Sequence, residues 1–202
     1  MGSTQRLFQG LTFKVADYSE RERALDLRRR IYTVEHGTAG LDEFDDVAIH
    51  LVAIDQHSAI VAALRLVASS YRPFDFERFI SLDRIVSRDA IPAEVSRFCV
   101  ERTHRAIHRG QVVHLGMLKL LYEFASHKGI TDLLALVLPE MEIVYKVAFF
   151  VPLDITVEHP VWGPARIIHL DLIRARMAYE NSKHPVARLL FRTNVPNIIL
   201  SE

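Results

Sequence analysis

Apolar and polar positions recur along this chain with two distinct periods. Leu11 to Asp17 (LTFKVAD) alternates, the two-residue period of a half-buried strand. From Ser19 to Gly37 the period becomes helical. Ala24, Leu27, Ile31 and Val34 recur at helix spacing, Ser19 and Glu22 stand three apart as a capping box, and Gly37 supplies a stop. After an acidic loop, LDEFDD at 41–46, strands are expected at 49–55 and 59–69, with Asp55 to Ser58 as the turn between them. Residues 76–86 read as a short helix or an irregular segment, and 94–102 as the fourth strand. The stretch 111–129 is apolar around most of its circumference and predicts a largely buried helix, closed by Lys128-Gly129. A buried strand at 131–139, a helix at 140–151 and late strands at 154–162 and 165–177 follow, the last passing into helix; 178–202 has no clear period.

This order predicts an α/β fold. A strand, a long helix and a second parallel strand over 94–138 make a right-handed crossover unit. Sheets of this kind place sites at the carboxyl ends of strands where the order splits. With 202 residues, no internal repeat and no linker, one domain spanning 1–202 is expected.

Composition narrows the function. The 25 basic and 25 acidic residues cancel, which weighs against a nucleic-acid partner. A single cysteine excludes an internal disulfide framework and any multi-cysteine metal site. No uninterrupted apolar run reaches the length of a membrane span, and MGSTQRLFQG lacks the apolar core of a secretory signal, so a cytoplasmic protein without stable membrane insertion is expected. The MGS start fits a lipidation context or a vector-derived scar.

Four patches carry candidate chemistry: Arg28 four residues before Tyr32 (LRRRIYTVEHG), Asp42-Glu43-Phe44-Asp45, Arg65 in ALRLV, and Glu94-Val95-Ser96-Arg97-Phe98. In this order, over roughly residues 11 to 105, they resemble the GNAT acyltransferases. The likeness is to the branch that holds acyl-homoserine-lactone synthases and long-chain N-acyl amino acid synthases. The resemblance implies a GNAT-like mixed central sheet flanked by helices, an acyl thioester donor and an amine acceptor. It also implies substrate-binding roles for Arg28, Tyr32, Asp42, Phe44, Asp45, Arg65, Ser96 and Arg97. Two departures shape the expectation. The lactone synthases carry a tryptophan shortly after the first helix, where this chain has HGTAGL, which counts against S-adenosylmethionine as acceptor. The glycine spacing of the loop by which coenzyme A enzymes hold pyrophosphate is missing from HRAIHRGQVVHLGM. A donor on the phosphopantetheine arm of acyl carrier protein fits better, with no resident cofactor. The leading expectation is transfer of a long acyl chain from acyl carrier protein to the α-amine of an amino acid, tyrosine first. A lactone synthase and a non-catalytic acyl- or carrier-protein-binding module are the alternatives.

Amide formation from a thioester needs a base for the acceptor amine and donors for the oxyanion. Glu94 is the candidate base. Regular alternation puts Glu94, Ser96 and Phe98 on one face and Val95, Arg97 and Cys99 on the other. Glu94 and Arg97 therefore face each other only if the strand bulges. A bulge would also free the backbone N–H groups of Phe98 and Cys99 for the thioester carbonyl. The competing reading is a surface salt bridge. Arg65 in so apolar a run calls for buried partners, and Asp42 and Asp45 are the natural ones. The Cys99 thiol reads as a small core hydrophobe rather than a nucleophile, since no third group orients His104. His104 and His108 lack a third metal ligand, and DEFDD lacks calcium-loop spacing, so no metal is expected. Arg102, Arg105 and Arg109 are candidate contacts for an acidic carrier protein.

Overall fold

In the computed structural model, residues 8–105 and 107–200 are described, apart from the side chains of 107–111; the MGS start and the side chains of His108 and Arg109 lie outside the described residues. The alternating segment forms β1 (Leu11–Val15), and the helical stripe forms α1 (Tyr18–His36). The capping box lies two residues earlier than Ser19–Glu22, at Asp17 and Glu20. Asp17 accepts from the Glu20 N–H, and the Glu20 carboxylate accepts from the Asp17 N–H. The first orphan amides belong to the turn beginning at Tyr18, and Asp17 is the side chain that reaches them. Gly37 ends the helix with φ 69°.

The strands β2 (Ile49–Asp55) and β3 (Ile60–Ala68) are joined by a tight turn in which the Asp55 carboxylate accepts from the His57 and Ala59 N–H groups, both at 2.9 Å. Residues 76–86 are irregular, carrying 3₁₀ turns at Asp75–Arg78 and Leu82–Arg84. Then come β4 (Pro92–Val100), α2 (Ile107–His127), β5 (Asp132–Val137), α3 (Glu142–Val147), β6 (Val151–His159), β7 (Gly163–Asp171) and α4 (Leu172–Tyr179). The helix expected over 140–151 stops early because the chain turns at Phe149 (φ 65°) and enters β6 at Val151. The tail forms α5 (Pro185–Arg192) and a two-residue β8 (Ile198–Ile199), which pairs in parallel with β1. That short strand had no sequence signal: its partner supplies the ladder.

Among the described residues eight strands form one mixed sheet, in the order β6-β7-β5-β4-β3-β2-β1-β8, with helices between the strands along the chain. The chain divides into two compact units. The first holds the residues through Arg65, Arg97–Phe124 and the segment from Thr193; the second holds Leu66–Ser96 and Ala125–Arg192.

In the first unit the α1 stripe packs Ala24, Leu27 and Ile31 against Val52, Ile60, Ala63 and Cys99. Val34, expected to continue that stripe, is 68 % exposed, whereas Arg28, six residues earlier, is fully buried. Gly116 of α2 lies on the Phe13 ring, which a Cβ there would meet at 2.1 Å. In the second unit β5 and β7 pair antiparallel from Asp132↔Asp171 to Val137↔Arg166, and β4 pairs parallel to β5 over Pro92–Glu94. The Phe149 ring stacks on Tyr179 at 4.2 Å and on Phe191 at 6.1 Å, tying the α3–β6 turn to α4 and α5.

Candidate active site

Every residue of β3 from Ile60 to Val67 is buried, Arg65 at 0 % exposure among them. A guanidinium held that deep needs counter-charge. The acidic loop supplies it: Arg65 Nη1 donates to Asp42 Oδ1 and lies 3.3 Å from Asp45 Oδ1. Its plane also stands 5.6 Å from the Phe44 ring centroid, a cation–π contact that anchors the loop's one aromatic. Arg28 is equally buried. It donates from Nη1 to Asp45 Oδ1 at 2.5 Å and to the Gly40 carbonyl at 3.4 Å. Arg97 completes the set, with Nη2 2.6 Å from Asp42 Oδ2. Of the other two arginines in the basic triplet, Arg29 pairs with Asp26 and Arg30 with Glu101, both largely exposed.

The loop shapes itself with the same carboxylates. Asp42 accepts from the Phe44 N–H at 3.0 Å, and Asp45 Oδ2 accepts from the Asp42 N–H at 3.0 Å, closing the 3₁₀ turn Glu43–Asp46. Burial opposes the charge on both acids. The Arg65 and Arg97 guanidiniums beside Asp42, and Arg28 beside Asp45, more than offset it and hold both carboxyls below the usual range. Both Asp residues are therefore ionised at neutral pH.

His50 belongs to this cluster, although its sequence context marked it only as one of ten scattered histidines. Its Nδ1 faces Arg28 Nη2 at 3.3 Å and its Nε2 faces the Asp45 carbonyl at 3.1 Å. A guanidinium only donates and a carbonyl only accepts, so the ring is neutral with its proton on Nε2. Burial pushes its pKa down to about 4. The available signal was a histidine at the second position of an otherwise apolar strand, IHLVAID.

Tyr32 lies beside these arginines at the end of α1. Burial pushes its phenol up to about 12, so it remains a protonated donor. Its ring covers Gly40, where an added Cβ would come within 2.5 Å of Cδ1 and where φ is 64°. Glycine is required there on both counts, a second residue whose importance the HGTAGL string did not announce.

On β4 the backbone departs from a regular strand. Arg97 has φ 55°, a left-handed conformation that L-residues adopt only under constraint. Such a residue inside a strand is the backbone signature of a bulge, and regular alternation does not run from Glu94 to Cys99. At this bulge Arg97 reaches the acidic loop, donating from Nη2 to Asp42 Oδ2. Glu94 is 2 % exposed, which rules out the surface salt bridge; its Oε2 accepts from the Phe76 N–H at 3.4 Å, beside the buried Phe74–Phe76 ring pair. Ser96 is half-buried, and the Phe98 ring meets His114 edge-on at 5.1 Å.

The Cys99 thiol is core, and burial pushes its pKa up to about 11. His104 pairs with Thr103. Among the described residues no group of three or more His, Cys, Asp or Glu is arranged to hold a metal. Arg102 and Arg105, the candidate contacts for an acidic carrier protein, both grip Glu35 at 2.9–3.1 Å, so they brace the end of α1 as well as meeting solvent. Between β4 and α2 the connection Glu101–Ala106 has no glycine, and Gly110 falls inside the helix.

The mixed sheet with helices between its strands has a GNAT-like fold. The autoinducer synthase family profile matches residues 30–182, and the chain belongs to that family. Among solved structures it is similar to FeeM, an N-acyl amino acid synthase from uncultured soil microbes (15 % identity, 83 % of this chain and 94 % of that one, TM-score 0.70). It is also similar to BjaI, a CoA-dependent acyl-homoserine lactone synthase (18 %, 95 % and 94 %, TM-score 0.67), and to the lactone synthase LasI (10 %, 92 % and 96 %, TM-score 0.63). No curated protein matches the chain.

Proposed function

We propose that the chain transfers a long acyl group from the phosphopantetheine arm of acyl carrier protein to the α-amine of an amino acid, with tyrosine the first candidate. The observation that carries this reading is Arg97: half-buried, held left-handed on β4, and fixed by Asp42. A guanidinium has five donors, so Arg97 can hold Asp42 and an acceptor's carboxylate together. Glu94 takes the proton from the acceptor amine, directly or through a water. The amine then attacks the thioester carbonyl, the backbone N–H groups of Phe98 and Cys99 stabilise the oxyanion, and the pantetheine thiol leaves as the C–S bond breaks. Arg28, Arg65, Asp45, Phe44, Tyr32 and Ser96 shape the acceptor side. The glycine-free connection Glu101–Ala106 favours a carrier-protein donor over coenzyme A, whose pyrophosphate would call for a cradle of amides. No helix among the described residues is long and apolar enough to cross a membrane.

Lipid extracts of bacteria expressing the chain, analysed by mass spectrometry, test the reading. An N-acyl amino acid absent from the empty-vector control is expected, and Glu94→Gln should lower it by about 10²–10⁴-fold. Equal product from wild type and Glu94→Gln removes Glu94 from the chemistry, and absence of any product overturns the assignment. A lactone synthase is the second reading, favoured by the 95 % coverage against BjaI. An acyl-homoserine-lactone reporter strain that responds to the culture would select it.

A further inference from the structure

The chain's balance of charge hides a strong local asymmetry. The segment Leu172–Arg192, which is α4, α5 and the turn between them, carries Arg174, Arg176, Lys183, Arg188 and Arg192 against Glu180 alone. All five cations are exposed. The rest of the chain holds 20 basic and 24 acidic residues, so this segment is a basic island in an otherwise acidic molecule.

The island is also apolar in the wrong place for a face that meets only water. On α4 the inward positions are Leu172 and Ala175, at 6 % exposure each, while Ile173 and Met177 stand outward at 59 % and 79 %. One turn apart, they share a stripe, and the helical repeat puts Arg176 on one flank and Arg174 on the other. Tyr179, at the end of α4 and 39 % exposed, stacks on Phe149; Val147 and Val151, two residues to either side of Phe149, are 41 % and 62 % exposed. An outward apolar stripe flanked by long cationic side chains is the pattern of a surface that lies in a lipid interface. The apolar side chains enter the acyl boundary while the guanidiniums stay at headgroup level.

We infer that α4 and α5 form a docking face for an anionic lipid surface, on which the protein rests peripherally and reversibly. Charge complementarity names the occupant: five exposed cations with one anion attract an acidic leaflet, and the outward Ile173 and Met177 distinguish insertion from simple adhesion. The inference is independent of which acceptor the active site uses, because it concerns residues outside the Arg–Asp cluster and β4.

Flotation of the full chain with vesicles of phosphatidylglycerol and phosphatidylcholine, against phosphatidylcholine alone, tests it. Binding to the anionic vesicles, weakened by salt, is expected. The double variant Ile173→Ser with Met177→Ser should lower the partition coefficient about a hundredfold, since each buried apolar side chain is worth about a factor of ten. Arg174→Glu with Arg176→Glu should lower it further. Turnover on soluble substrates should be unchanged in both, with native circular dichroism. Unaltered vesicle binding by the serine variant overturns the proposal, as does equal binding to neutral vesicles. Absence of vesicle binding, with these same residues instead needed to retain an acidic carrier protein, also overturns it and assigns the face to that protein.

Discussion

Arg97 Nη2 lies 2.6 Å from Asp42 Oδ2, joining two residues 55 positions apart in the chain. The contact fastens the acidic loop to the point where β4 leaves regular geometry, so loop and bulge act as one device. The same Asp42 also receives Arg65, and its partner Asp45 receives Arg28 and Arg65. Each carboxylate serves more than one arginine, and removing either strands buried charge.

Arg97 provides a direct test of the bulge. Arg97→Ala and Arg97→Gly both remove the guanidinium, but only glycine adopts φ 55° freely. Arg97→Gly is expected to be more stable than Arg97→Ala by about 1 kcal/mol. Urea denaturation of the two variants measures the difference, and equal stability would mean that the left-handed turn is absent.

Asp42→Asn keeps the shape of the loop residue and deletes its charge. Arg65, fully buried, then loses a partner, and a loss of roughly 3–5 kcal/mol is expected for breaking a buried pair. The denaturation midpoint should fall with an unchanged slope. A loss below about 1 kcal/mol would place the pair in the class of solvent-screened contacts.

Acid should destabilise the fold through His50 before it does so through the carboxylates. The folded-state pKa of His50, about 4, lies below the free value of 6.5, so on acidification the unfolded chain takes up a proton first. Stability is undiminished above 6.5 and falls as pH drops towards 4, by up to about 3 kcal/mol. The Asp42 and Asp45 carboxyls are also depressed, but their contribution is lost only below the ordinary value of 3.8. Unfolding free energies at pH 7 and pH 5 should therefore differ for the wild type, and the difference should shrink in His50→Gln. A pH 7-to-5 change identical in both proteins would remove His50 as its source.

Cys99 should be chemically silent in the folded state. With its thiol raised to about 11 and buried, a thiol reagent at pH 8 should modify it only on unfolding. Cys99→Ala should keep turnover and lose about 1 kcal/mol of stability from the core. Inactivation by that substitution, with native circular dichroism, would restore the thiol to the chemistry.

Gly40→Ala places a methyl group 2.5 Å from the Tyr32 ring at a left-handed position. Strain of about 1–3 kcal/mol is expected, relieved by displacing Tyr32 from beside the arginines. The acceptor KM should rise more than kcat falls; unchanged kinetics would show that Tyr32 does not border the acceptor.

The chain's local patterns determine a large part of this protein. Two-residue alternation places β1, a helical stripe places α1, and the apolar circumference of 111–129 makes α2 a buried helix, because each of these signals is a matter of near neighbours and solvent. Arg65 in an apolar run already demanded carboxylates, and Asp42 and Asp45 were its natural candidates. Only the tertiary structure decided what lies between distant segments. It buried Arg28, which Asp45 neutralises, and left Val34 exposed. It brought Arg97, at the bulge of β4, to Asp42, 55 residues away in the chain. It enlisted His50, whose role depends on a guanidinium 22 residues away and a carbonyl five residues away. It also made a strand of Ile198–Ile199 from nothing more than the open edge of β1. A buried charge takes its meaning from its partners, and those partners are brought to it by the fold.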